Sequence, residues 1–136
     1  MVSISVCMIV KNEEHRLARC LDSLKHIADE IVIVDTGSMD DTKQLAAQYT
    51  DKIYDFPWIN DFAAARNFAF SKCSCDYIYS ADADEALDEV NMQKLANLKQ
   101  IMLPEIDIVQ MYYLNMMEKN TAYNFKRELR PKYLRD

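Results

Sequence analysis

A chain of 136 residues, half of them hydrophobic, is long enough for one domain with a single buried core and too apolar to be disordered. Its formal net charge of −6 argues against a nucleic-acid binder, which would show a basic stripe, and no apolar run approaches the roughly 20 residues that span a bilayer. The single glycine, Gly37, excludes both glycine-rich phosphate cradles, the P-loop and the dinucleotide fingerprint.

Val2 to Val10 is a near-continuous apolar run, the pattern of a strand in a parallel sheet covered on both faces. It breaks at Lys11-Asn12-Glu13-Glu14. Leu17, Ala18, Leu21 and Leu24 then recur at helical spacing, which predicts a helix from about Glu14 to Lys25 with Arg16, Arg19 and Asp22 in water. Glu30 to Asp35 is a second buried strand, turning at Thr36-Gly37-Ser38. Asp40 or Ser38 is expected to cap a helix carrying Leu45, Ala46 and Tyr49 inward. Lys52 to Phe56 is a short third strand closed by Pro57, and Asn60 or Asp61 caps a helix that runs to about Lys72. Asp76 to Ala81 is a fourth strand, followed by a helix from about Asn91 to Met102 that Pro104 ends. Ile106–Met117 and Ala122–Leu129 alternate and read as a hairpin across Glu118-Lys119-Asn120-Thr121. Tyr112, Tyr113, Met111, Met116 and Met117 are expected to pack a face of that sheet.

This β-α-β-α-β-α-β order predicts an α/β protein: a Rossmann-like three-layer α/β/α sandwich with a mostly parallel central sheet and a C-terminal hairpin. Such a sheet brings three polar strand ends, at Val10–Glu13, Asp35–Ser38 and Asp82–Glu85, to one rim. Ligands of open α/β sheets bind in the crevice beyond the carboxyl ends of the strands. Asp82 and Asp84, separated by Ala83, point to one side in extended backbone. Two crowded carboxylates call for a cation or a shared proton, and oxygen-only ligands suit magnesium or manganese; a solvated acidic turn is the plain alternative. Cys7, Cys20, Cys73 and Cys75 lack zinc spacing and read as reduced, mostly buried thiols. With no signal sequence visible at Met1–Ser5, a cytoplasmic location is expected.

Four stretches carry a family likeness. Ser5 to Glu14 resembles the opening strand of family 2 glycosyltransferases, and Ile31 to Thr42 resembles their "VDxGSxDxT" segment. Phe62 to Asn67 is similar to their "ARN" helix, and Ser80 to Glu85 to their "DADE" metal motif. All four occur in the family's order and cover nearly everything from Ser3 to Glu85. The resemblance implies a GT-A fold and inverting transfer of a sugar from a nucleoside diphosphate sugar, a UDP-sugar by that likeness, to an unknown acceptor. It implies that Asp35 accepts from the imide N–H of a uracil-type base, with Val10, Asn12 and Glu13 along the base and ribose. Arg66 would reach the nucleotide, Asp82 the ribose directly or through metal-bound water, and Asp84 would ligate Mn²⁺ or Mg²⁺. The family's catalytic base lies in a later half, expected beyond Asp136. The 136 residues therefore read as a single nucleotide-diphospho-sugar-binding domain, a piece of a longer enzyme that is inactive alone. An apolar hairpin face normally covered by that half would drive self-association.

Competing readings are a non-catalytic nucleotide-binding or interaction module, and an aspartic protease signalled by Asp35-Thr36-Gly37-Ser38. The second needs an all-β, glycine-rich fold. A haloacid dehalogenase phosphatase would carry its D-x-D on the first strand, and a sugar nucleotidyltransferase would open with a glycine-rich basic loop. His15 and His26 read as exposed helix-end residues. Trp58 reads as packed against the third helix rather than as part of the pocket, and Asp61 as an N-cap.

Overall fold

The computed structural model describes residues 1–102, together with the backbone of the two C-terminal strands. Along the chain run β1 (Ile4–Val10), α1 (Leu17–Leu24), β2 (Glu30–Asp35), α2 (Thr42–Ala46), β3 (Ile53–Asp55), α3 (Phe62–Ser71), β4 (Tyr77–Ala81), α4 (Glu89–Ile101), β5 (Val109–Glu118) and β6 (Thr121–Pro131). The six strands form one sheet in the order β3-β2-β1-β4-β6-β5. The first four are parallel, while β6 runs antiparallel to β4 and pairs with β5 as the expected hairpin.

β1 is apolar throughout because both its faces are buried. Ile4, Val6, Met8 and Val10 pack against Leu17, Cys20, Leu21 and Leu24 of α1, Ala46 of α2 and Leu95 of α4. Cys7 faces the other way, with Val32, Val34 and Ile78, against Ala69 and Phe68 of α3. This division follows from topology. Successive crossovers of one hand put α1 and α2 on one face while the chain steps outward from β1 to β3. The reverse step from β3 to β4 puts α3 on the other. Each large side chain so buried contributes about 1.5–3 kcal/mol.

Three helix ends differ from expectation. α1 begins at Leu17, after a turn in which Arg16 and Leu17 both donate to the Glu13 carbonyl. α2 is only five residues long, and its N-cap is Asp41, with no side-chain cap. Asp40 instead accepts from the backbone N–H and the hydroxyl of Thr42, so its side chain closes the turn before the helix. α4 starts earlier than expected, because Asp88 accepts from Asn91 N at 2.8 Å and caps it. Asp61 caps α3 through Ala64 N at 3.0 Å, as the sequence predicts. Pro104 and the hairpin side chains, including Tyr112, Tyr113 and the three methionines, lie outside the described residues.

At the amino ends of the strands a buried polar knot ties the sheet together. Glu30, 8% exposed, accepts from Ser5 Oγ at 2.7 Å and from Ser74 N and Oγ at 2.8 Å each, and it pairs with Lys52. Nearby, Lys99 of α4 reaches Asp29 at 2.7 Å, and Asp29 accepts from Ile4 N at 2.9 Å. Burial alone would raise the Glu30 carboxyl, but the hydrogen bonds from Lys52, Ser5 and Ser74 outweigh it and hold it at about 2. The stabilisation is therefore complete above the ordinary value of 4.5 and is lost as pH falls from there toward about 2. Glu30→Gln is expected to cost about 1–3 kcal/mol at neutral pH and to flatten the acid limb of stability. Urea unfolding at pH 7 and at pH 3 checks both.

Candidate functional site

The sheet reverses its strand order at β1, since the chain proceeds from β1 to β2 on one side and returns to add β4 on the other. Crevices at such switch points, outside the carboxyl ends, are where open α/β sheets bind ligands. Register sets the geometry. Val10 lies opposite Asp35, and Met8 lies opposite Ala81, so Asp35 and Asp82 flank the end of β1 from its two neighbours. They stand two strand spacings apart, about 9–10 Å in the plane of the sheet.

The loops after β1 and β2 are stitched to one another. Asn12 N donates to Ser38 Oγ at 2.9 Å, and Met39 N returns a bond to Asn12 Oδ1 at 2.8 Å. Glu13 N donates to Thr42 Oγ1 at 2.8 Å, Glu14 N to Asp40 Oδ2 at 3.3 Å, and Asp41 N to Glu14 Oε2 at 3.0 Å. Asn12 adopts φ 53°, a left-handed conformation that asparagine tolerates better than most residues, to turn the chain into this seam. Gly37, at φ 124°, supplies the turn after β2.

Asp35 is 2% exposed. Its Oδ1 accepts from Gly37 N at 2.9 Å and Ser38 N at 2.8 Å, which fixes the carboxylate. Among the described residues its buried Oδ2 has no hydrogen-bond partner. An unsatisfied buried acceptor costs about 1–3 kcal/mol. Glu13 Oε1 accepts from Arg16 at 3.0 Å, and its buried Oε2 sits 2.8 Å from the same nitrogen as an ion-pair contact without a hydrogen bond of its own. Val10 reaches the rim with backbone only. Its side chain belongs to the core, and its carbonyl accepts from Thr36 N at 3.0 Å.

Beyond β4 the chain makes an acidic turn. Ala83 packs into the same core as Cys20 and Leu21, which turns its exposed neighbours Asp82 and Asp84 away from the core. Glu85 N donates to the Asp82 carbonyl at 3.0 Å, and Asp82 N donates to Glu85 Oε1 at 3.0 Å. The turn thus adds Glu85, which the alternation argument omitted, and one ligand oxygen from each of the three carboxylates lies within 4.8 Å of the others. Two unit charges at about 4 Å repel by about 1 kcal/mol in water and several times more near a low-dielectric surface. A hard, oxygen-seeking divalent cation fits this donor set. Beneath it lies the fully buried Cys20 thiol, pushed up to about 12 by burial and then by Glu85, Asp82 and Asp84.

Arg66 is exposed on α3, with its guanidinium 5.0 Å from the centre of the Phe62 ring. Trp58 remains 43% exposed and donates from its indole to Asn60 Oδ1 at 2.9 Å. His15 and His26 are exposed, and none of the four cysteines is in a disulfide.

This fold is shared with solved GT-A glycosyltransferases. The glucosyl-3-phosphoglycerate synthase of Mycobacterium tuberculosis, in its complex with uridine diphosphate, superposes with a TM-score of 0.66 at 21% identity over 84% of this chain and 45% of that one. The same enzyme with Mn²⁺ and uridine-diphosphate-glucose gives a TM-score of 0.54 at 24% identity over 62% and 34%. The chain belongs to glycosyl transferase family 2, whose profile matches residues 5–135. Among curated relatives, a TPR repeat-containing protein of Synechococcus elongatus is 44% identical over 87 residues, 64% of this chain and 22% of that protein. The lipopolysaccharide core biosynthesis glycosyltransferase LpsC of Rhizobium meliloti is 39% identical over 101 residues, 70% and 36%. The chain therefore spans about a fifth to a third of the length of these relatives.

Thr42 is fully buried at the seam between the two loops. Thr42→Val keeps its volume but removes the acceptor for Glu13 N, and is expected to cost about 1–3 kcal/mol. Thermal unfolding checks the stability, and hydrogen exchange at the Glu13 amide checks the location.

Proposed function

We propose that this chain is the donor-binding unit of a glycosyltransferase, taking a nucleoside diphosphate sugar with a uracil-type base at the β1–β2–β4 rim. The carrying observation is Asp35. Its Oδ1 is fixed by two backbone N–H groups while its buried Oδ2 lacks a donor. An imide N–H satisfies such an oxygen directly, and thymine would serve as well as uracil. Asn12 and Glu13, with the Val10 backbone, border the base and ribose, and the planar donors of Arg66 suit a base edge or a phosphate. The uridine diphosphate and UDP-glucose complexes of the mycobacterial enzyme lend support to this donor class.

In this reading Asp84 and Asp82 hold Mn²⁺ or Mg²⁺, with Asp82 also near the ribose. When bound, the cation neutralises charge on the diphosphate leaving group. The reaction class is inverting glycosyl transfer, for which the chain's own role is to bind and orient the donor. The acceptor and the general base would come from further chain, so the 136 residues form a single binding domain that does not turn over alone. Thiols free of disulfides fit the reducing cytoplasm. Among the described residues no helix is long and apolar enough to cross a membrane. Like β3, β5 is an edge strand of the sheet, and among the described residues its outer edge offers backbone groups to a second copy, in keeping with self-association through the hairpin.

Calorimetric titration of UDP with and without Mn²⁺ tests the reading. Asp84→Ala is expected to abolish the metal-dependent gain in affinity with the fold intact. Asp35→Ala is expected to weaken UDP about tenfold or more while leaving inorganic pyrophosphate little changed. Variants that both bind like wild type would overturn the residue assignments, and sugar transfer by the 136 residues alone would overturn the division of labour.

A further inference from the structure

The acidic turn is fastened from below by two side chains that the reading above does not use. Cys20 and Ser23 stand three residues apart on α1 and so on one face of it. The Cys20 thiol donates to the Asp82 carbonyl at 3.4 Å, where the turn begins. The Ser23 hydroxyl accepts from Leu87 N at 3.1 Å, where it ends, and donates to the Cys20 carbonyl at 2.7 Å. Both side chains are buried, at 0% and 7% exposure. Ser23 thus uses its hydroxyl as donor and acceptor at once, which alanine cannot do. Between these two ties lie all three clustered carboxylates.

We infer that Cys20 and Ser23 are positioning residues: one turn of α1 holds residues 82–87 in the shape that gathers Asp82, Asp84 and Glu85 for a divalent cation. This rests on the metal-binding reading given above. Partners that hold ligating carboxylates from behind set metal affinity even though they never touch the ion, and their loss commonly costs about 10–100-fold. The geometry also assigns α1 a second task beside covering the sheet.

The test uses Mn²⁺ itself, followed by the electron paramagnetic resonance signal of the free ion in the presence of UDP. Ser23→Ala is expected to weaken Mn²⁺ binding about tenfold or more, to leave metal-free UDP binding within about twofold, and to speed exchange of the Leu87 amide. Cys20→Ala is expected to act in the same direction, and Cys20→Ser, which keeps a donor, to recover most of the affinity. Ser71→Ala serves as control, because Ser71 makes the equivalent hydroxyl-to-carbonyl bond to Phe68 on α3, away from the turn. If wild type binds Mn²⁺ and Ser23→Ala and Cys20→Ala bind it equally well, the positioning role is wrong while the metal site stands. If wild type itself does not bind Mn²⁺, the metal reading fails and this inference fails with it.

Discussion

Everything at the rim depends on β1 being sandwiched in two directions at once. It is paired in parallel with β2 on one side and β4 on the other, and its faces are covered by α1 and α3. A strand so placed has no freedom to slip, because a shift of one residue would exchange the side chains of its two buried faces and misplace both neighbours. The register therefore fixes Asp35 and Asp82 on either side of its end. Their separation is set first by the hydrogen-bond ladder, with Asp82 opening the turn just beyond it.

On that frame the two halves of the rim are built by opposite means. The β1–β2 side is a seam of backbone N–H groups bonded to Ser38, Asp40, Thr42, Asn12 and Glu14 side chains. It is rigid because each polar group answers another across the gap. The β4 side is an acidic turn in which three carboxylates gather. It is held from the core side by Ala83 packing and by α1, and the charge itself is left exposed toward the rim. One side thus presents the fixed Asp35 carboxylate, the other an acidic cluster of Asp82, Asp84 and Glu85. The polar knot around Glu30 lies at the other end of the strands and has a purely structural part, anchoring the sheet far from the rim.

Much of this was legible in the residues. The apolar runs gave strands and the 3.6-residue spacing of Leu17, Leu21 and Leu24 gave α1, since periodicity records which faces are buried. The four ordered motifs pointed to the family, and the family profile agrees over residues 5–135. Helix ends were read less well. The α2 start depends on whether an Asp40 oxygen meets the Thr42 amide or a later one, a choice of a few ångströms that type and spacing leave open. Trp58 is partly exposed, and its indole N–H bonds Asn60 two residues away, a local pairing that residue spacing alone does not specify.

By itself the chain determined the layer order, the residues at each strand end and the sign of the charge there, because these follow from local pattern and from the parallel connectivity it enforces. Tertiary structure alone decided that Asp35 keeps one satisfied and one donorless oxygen, that Glu85 joins Asp82 and Asp84, and that Cys20 and Ser23 grip the turn from beneath. Those facts join residues up to 64 positions apart, such as Ser23 and Leu87. No local periodicity encodes a contact of that span, since it exists only once α1 has packed across the edge between β1 and β4.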